Sequence, residues 1–305
     1  MSWEDIDERL VEELRQDPRV SIVSLAQRLY VPRAAVSERL RYLTSHDLIR
    51  VVAAVHPGFL GLSVIAHVSI STSGPTEEVT RMLVEWDSCV LVSITAGEYD
   101  VVAELRVSTH RELQRELDQL RAHPTVVRCN TVLYTEIIQG NVEHEQHADI
   151  GVDQVDRQLL SALIDDGRMG WKALAEKTGK SPSAVRNRVQ RLLDARIAQI
   201  VVVQQRGSGS NQVSAGVGVT LHEDSRTTLE RLITIDGIEF AAACIGRFDA
   251  VLTVRGSTPM AIERSLERVR ADAGVRSLVT WLHLRSAKVD YARMGMLTHP
   301  GNPTP

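Results

Sequence analysis

The sequence predicts an α+β protein built as two copies of one unit, and three observations predict it. First, sliding the 305-residue chain by 149 positions lays Asp7 on Asp156, Leu14 on Leu163, Arg19 on Arg168, Val36 on Val185 and Arg39 on Arg188. The same offset, without a gap, lays Gly97 on Gly246, Asp100 on Asp249 and Thr131 on Thr280. A register held that far means duplication of a whole unit, because solenoid repeats run about 20–50 residues. Second, the run SPSAVRNRVQRLLDAR over 181–196 combines a helix cap with one narrow apolar stripe, Val185, Val189, Leu192 and Leu193. Third, Val101, Ala103, Leu105 and Val107 alternate with Val102, Glu104 and Arg106, the period of a strand with two unlike faces.

Bulk composition narrows the class. An apolar share of 43% and a charged share of 24% are those of an ordinary globular protein. The formal charge of −4 excludes a generally basic coat, although DNA binding depends on the field near the contacting helices. Three of the four lysines, Lys172, Lys177 and Lys180, cluster beside the 181–196 run. Cys89, Cys129 and Cys244 lie far apart in apolar runs, which suits reduced core residues rather than a redox pair or metal knuckle. No apolar run reaches the roughly 18 residues of a membrane span, and the start MSWEDIDERL is too acidic for a signal peptide. A cytoplasmic protein without membrane contact is expected.

Taken in order, 4–15 reads as a first helix, broken at Asp17-Pro18, with a second helix over 21–29 and a third over 33–45. Pro32 stands where the second copy has Ser181, so the third helix lacks a side-chain cap. Strand signals follow at 48–55, 64–70, 90–96, 101–107 and 126–135, with helices at 75–86 and 109–122. The order βαββαβ after residue 56 is the ferredoxin-like arrangement, an antiparallel sheet with two helices on one face. In the second copy, Val155, Leu159, Leu160, Leu163 and Ile164 mark one helix, and 171–177 a short one ended by Gly179. Two short helices, a tight turn and a third helix with a polar outer face form a helix-turn-helix, here winged-helix-type.

The expected domains are a helix-turn-helix over 1–55, a βαββαβ domain over 56–138, a polar linker over 139–150, and a second helix-turn-helix over 151–205. A flexible hinge over 206–212, a second βαββαβ domain over 213–290 and a Pro- and Gly-rich tail over 291–305 complete the chain. His144 and His147 have a spacing seen in metal ligands, but a histidine pair alone in a linker is ordinarily unliganded, and no metal site is assigned.

The second helix-turn-helix resembles that of the Lrp/AsnC (feast/famine) transcription regulators. The residues that carry it are Asp156, Leu163, Asp166, Gly167, Arg168, Leu174, Ala175, Ser181, Pro182, Val185, Arg188, Val189, Arg191 and Leu192. The resemblance implies that strands 48–55 and 197–205, which pair between subunits in the family, pair here within one chain, giving an intrachain pseudo-dimer. It implies the same for the two βαββαβ sheets.

The function expected is sequence-specific binding of double-stranded DNA with a response to a small effector. On the second recognition helix Arg186, Asn187 and Gln190 are expected to read base edges, with Ser181 and Ser183 at its N-terminus. Arg33, Ser37 and Arg41 do the same in the first copy, and Arg39, Arg188 and Arg191 are expected to hold phosphates. The turns Gly97-Glu98-Tyr99-Asp100 and Gly246-Arg247-Phe248-Asp249 admit two readings. One is a hairpin shaped by Gly and Asp. The other, implied by the resemblance, is an effector cleft using Gly97, Tyr99, Asp100, Gly246, Phe248 and Asp249, suited to an amino acid. Glu98 against Arg247 makes two equivalent sites unexpected. Further assembly to dimers or tetramers of the chain is implied too.

No G-x-S-x-G elbow, P-loop, G-x-G-x-x-G or H-E-x-x-H occurs, so no enzyme and no cofactor is expected. Two alternatives stand beside this reading. One is a tetrapyrrole enzyme like the sirohaem decarboxylases, which resemble the same family; VLVSITAGEYDVVAELRV and AAACIGRFDAVLTVRG lack the histidines expected of it. The other is a sensor without DNA contact.

Overall fold

The computed structural model describes residues 3–46, 48–140, 148, 150–204 and 213–291. In chain order the first copy forms α1 (Trp3–Gln16), α2 (Ile22–Leu29), α3 (Arg33–Ser45) and β1 (Ile49–Val55), then a 3-10 turn at Pro57–Leu60. It continues with β2 (Val64–Thr72), α4 (Glu77–Glu85), β3 (Cys89–Gly97), β4 (Val101–Val107), α5 (His110–Arg121) and β5 (Val126–Gln139). The second copy repeats the series as α6 (Gln154–Asp165), α7 (Trp171–Thr178), α8 (Pro182–Asp194), β6 (Ala198–Gln204) and β7 (Val213–Leu221). After these come α9 (Ser225–Leu232), β8 (Ile238–Ile245), β9 (Ala250–Gly256), α10 (Pro259–Arg270) and β10 (Val275–Val289). His144, His147 and the hinge over 206–212 lie outside the described residues, as does the tail beyond Tyr291.

Local chemistry sets these boundaries. The Ser21 hydroxyl accepts the Ser24 N–H at 3.0 Å, and the Ser181 hydroxyl the Ala184 N–H at 3.2 Å. Asp153 and Asp156 form a reciprocal capping box at the start of α6. Pro32 gives α3 no side-chain cap, as its chemistry dictates. Gly179 closes α7 in the left-handed region at φ 66°; its counterpart Tyr30 holds φ 57°, which costs a non-glycine residue about 1 kcal/mol.

The chain folds into two compact units, one of residues 1–55 with 147–205, the other of 56–146 with 206–305. In the first unit the two helix-turn-helix heads are joined by an antiparallel β1–β6 ladder, from Ile49 opposite Gln204 to Val55 opposite Ala198. Two arginines at equivalent positions clasp the partner head. Arg168 donates to the carbonyls of Pro18 and Val20, both at 2.6 Å, while Arg19 donates to those of Gly167 and of Met169 (2.8 Å) and lies over the Trp171 ring. Gly167 donates to the Val51 carbonyl at 2.8 Å, so close that a Cβ would stand 2.9 Å from the Val52 nitrogen.

In the second unit the two βαββαβ sheets close into one eight-stranded barrel, β10-β3-β4-β2-β5-β8-β9-β7. The joints are antiparallel: β5 with β8 and β10 with β3. That pairing corrects one expected boundary. β5 ends at Gln139 rather than near residue 135, because its extension finds a partner in the other copy. Gln139 and its equivalent Lys288 each reach across. Gln139 donates to the Ile238 carbonyl at 2.8 Å, and Lys288 Nζ to the carbonyls of Val84 (3.0 Å) and Trp86 (2.8 Å) where α4 ends.

Strand alternation splits the core in two. Val101, Ala103, Leu105 and Val107 pack under α4 and α5, and Ala250, Leu252 and Val254 take the same role under α9 and α10. The opposite faces meet inside the barrel, where Ile65, Tyr99, Val102, Tyr134, Phe248, Val251 and Trp281 cluster. The two copies differ most here. His67 and Ser69 of the first correspond to Gly216 and Gly218, whose absent side chains leave room for Trp281 and Phe248. Glu104 and Arg106 form a buried ion pair at 2.8 Å; in the second copy Thr253 replaces the glutamate and Arg255 pairs with Glu239. Burial holds His67 neutral, lowering its pKa to about 4.

A Cβ at Gly216 would stand 2.1 Å from the Trp281 indole nitrogen. Gly216→Ala is therefore expected to cost about 1–3 kcal/mol by overpacking. Trp281→Val, which restores the valine found at the equivalent position 132, is expected to cost less in the Gly216→Ala background than alone, because the added methyl and the vacated space offset each other. Urea unfolding of the two single variants and the double checks this; additive losses would contradict it.

Candidate nucleic-acid interface and effector turns

α3 and α8 are held against their heads by Val36 and Leu43, and by Val185, Val189 and Leu192, all buried. The opposite faces are open. Arg33, Ser37 and Arg41 are exposed on α3, and Ser183, Arg186, Asn187 and Gln190 on α8. Ser181 is exposed but serves as the cap, and Gln190 donates to Asp194 at 2.8 Å. None of Arg33, Arg41 or Arg186 makes an ion pair among the described residues, so their guanidinium groups are available to an incoming anion or base edge.

The structure gives the three presumed phosphate arginines protein partners instead. Arg39 grips Asp7 with both Nε (2.8 Å) and Nη2, and stacks on Tyr42. Arg188 binds Asp153 at 2.7 Å and Asp156 at 2.9 Å, and Arg191 binds Asp156 at 2.5 Å. Asp156 is fully buried, and its two arginines leave it no bulk water to replace them. These arginines brace the recognition helix on the first helix of its head. The signal was present in the sequence: a carboxylate and an arginine, 7 with 39 and 156 with 188, recur at the same offset. The clasp by Arg19 and Arg168, and the exposed Glu38 at the centre of the open α3 face, went unread.

The two turns come together inside the second unit. Gly97 and Gly246 take φ of 129° and 141°, and a Cβ on either would lie within 3.0 Å of a facing backbone carbonyl. The turn aspartates point back into the fold: Asp100 accepts the Thr72 N–H at 2.7 Å and Asp249 the Leu221 N–H at 2.8 Å. Tyr99 and Phe248 are buried in the barrel interior. What stands open is the pair the copies do not share. Arg247 binds Glu98 at 2.5 Å and donates to the Tyr99 hydroxyl, and its charged form is favoured first by the hydrogen bond to Glu98. Positions 98 and 247 are equivalents, so in a self-paired homodimer this residue would meet its own kind.

With this geometry in view, comparison with known proteins gives a consistent result. The family model for the AsnC-type helix-turn-helix domain matches residues 4–44 and 152–193. The transcriptional regulator LrpA of Mycobacterium tuberculosis is 33% identical over 132 residues, which is 42% of this chain and 88% of the relative. The chain belongs to the Lrp/AsnC family. A second relative of this kind, the regulator FL11 of Pyrococcus furiosus, is 27% identical over 142 residues, 46% of the chain and 94% of the relative. Each relative thus matches about one of the two copies. Among solved structures, the siroheme decarboxylase NirDL covers 96% of both chains with a TM-score of 0.60 at 12% identity, a likeness of fold. No helix among the described residues is long and apolar enough to cross a membrane, and no group of three or more metal-ligating side chains occurs among them.

Asp156→Ala would leave Arg188 and Arg191 without their buried anchor. A loss of about 1–2 kcal/mol is expected from the missing hydrogen bonds and helix cap, confined to the first unit, because the arginines left behind reach water. Hydrogen exchange checks it: faster exchange in α6 and α8 with the barrel unchanged supports the bracing role, and unchanged α8 protection contradicts it.

Proposed function

We propose that this chain is a sequence-specific DNA-binding transcriptional regulator whose recognition helices α3 and α8 enter the major groove. The observation that carries the reading is the open, donor-rich face of α8 in a chain whose two heads both match the AsnC-type domain. Arg186 suits a guanine edge, Asn187 and Gln190 suit adenine, and Ser183 at the helix N-terminus suits a phosphate oxygen. On α3, Arg33, Ser37 and Arg41 take the corresponding places. Lys172 and Lys180 add positive charge beside α8 where the first head has Val23 and Val31, and Arg28, the counterpart of Lys177, is paired with Glu13, so the second head supplies more of the phosphate attraction.

A small effector, with an amino acid as the best chemical fit, is assigned to the joined turns. Glu98 suits an ammonium group and Arg247 with the turn N–H groups a carboxylate, the ligand's two charges replacing the ion pair that these side chains make with each other. Because Glu98 and Arg247 occupy equivalent positions, the two turns make one composite site per chain. The carboxylates of Asp100 and Asp249 shape it by fixing the turns. Assembly into dimers or tetramers of the chain, and residence in the cytoplasm, follow the family.

Arg186→Ala is expected to weaken specific DNA binding by about 1–3 kcal/mol and to relax preference at one base pair, leaving folding intact. Gel shift and footprinting on the chain's own upstream region check this, and an unchanged footprint contradicts it. A thermal-shift screen against the twenty amino acids tests the effector, since a ligand of the folded state raises the melting temperature by mass action. Glu98→Ala is expected to abolish that rise; a rise it leaves intact places the effector elsewhere.

A further inference from the structure

We infer that the chain reads a DNA site with two unlike halves in a fixed order, and that Glu38 is the residue that sets them apart. The inference rests on the DNA-binding reading above and goes beyond it in naming the form of the target.

A regulator made of two identical subunits presents the same helix twice and is matched by a palindrome. This chain presents two different helices. At the common offset, Arg33 stands for Pro182, Ala34 for Ser183, Ser37 for Arg186, Glu38 for Asn187 and Arg41 for Gln190. At about 100° per residue, Glu38 lies roughly 200° round α3 from the buried Val36, in the middle of the outward face. Asn187 has the same relation to the buried Val185 on α8. Both are exposed, and neither Glu38 nor Asn187 makes an ion pair or a hydrogen bond through its side chain among the described residues.

Their chemistry is opposed. Asparagine carries a donor and an acceptor and fits the N6 and N7 edge of adenine, whereas an ionised glutamate only accepts and fits the N4 amine of cytosine. Facing guanine O6 and N7 or thymine O4, the carboxylate meets another acceptor and stays unpaired, so it also selects by penalising wrong bases. The heads cannot exchange places or drift apart. The β1–β6 ladder and the reciprocal Arg19 and Arg168 clasp bind them into one unit, so the order of the chain fixes which helix meets which half.

The test is selection of duplexes from a random-sequence pool by the full chain and by its Glu38→Asn and Glu38→Gln variants, each first shown to melt at the wild-type temperature. The wild type is expected to enrich sites with two unlike halves, one with cytosine favoured at a single position by about 5- to 150-fold. Glu38→Asn is expected to move that preference to adenine, Glu38→Gln to relax it, and both to leave the other half untouched. A palindromic consensus, or a consensus that Glu38→Asn leaves unchanged or alters in both halves, overturns this inference while DNA binding stands. Enrichment of no duplex at low salt overturns the DNA-binding reading as well.

Discussion

An unpaired strand edge is the constraint on which the structure depends. Each βαββαβ sheet alone would expose the edges of β3 and β5, or of β8 and β10, as rows of unmatched backbone donors and acceptors. Joining β5 to β8 and β10 to β3 removes all four at once and closes a barrel. The same logic operates in the heads, where β1 pairs with β6. Having both copies on one chain makes the closure intramolecular, and loop-closure entropy grows so slowly with length that the long connection costs little. The β1–β6 ladder joins the two heads within the first unit, and the two barrel joints bring the two turns together within the second.

Once both copies share a chain, positions that would meet their own equivalents in a homodimer are free to diverge. Glu98 faces Arg247, where two glutamates or two arginines would repel. Trp281 and Phe248 fill space above Gly216 and Gly218, while His67 and Ser69 occupy the equivalent ground in the first copy. The Glu104–Arg106 ion pair exists in one copy only, and a buried pair of that kind is weak evidence for stability by itself. Of these, the Glu98–Arg247 pair crosses between the copies and favours the pairing of unlike copies over like ones. The two turns therefore meet as unlike partners, and the two heads differ in the residues they expose.

Much of this was legible in the sequence because it is local or periodic. The offset of 149 announced two copies, Ser181 and Gly179 marked helix ends, and the alternation along 101–107 revealed a sheet with two unlike faces. The rest depends on residues far apart in the chain. Nothing near Gln139 says that β5 continues, because the reason lies in β8, about a hundred residues on. Arg39, Arg188 and Arg191 read as free cations until Asp7 and Asp156 are seen beneath them. Asp100 and Asp249 read as members of an effector cleft until the backbone N–H groups of Thr72 and Leu221 are found on them. Charge alone does not show where a side chain is spent.

Pairing between the copies of one chain underlies both units, and a disulfide trap tests it most directly. Val52 lies opposite Val201 in the β1–β6 ladder. With Cys89, Cys129 and Cys244 replaced by serine or alanine, Val52→Cys and Val201→Cys are introduced together, oxidised in dilute solution and separated under denaturing, non-reducing conditions. The account predicts a cross-linked species of single-chain size at every protein concentration. A product of two chains, increasing with concentration, would show that the copies pair between molecules and would contradict it.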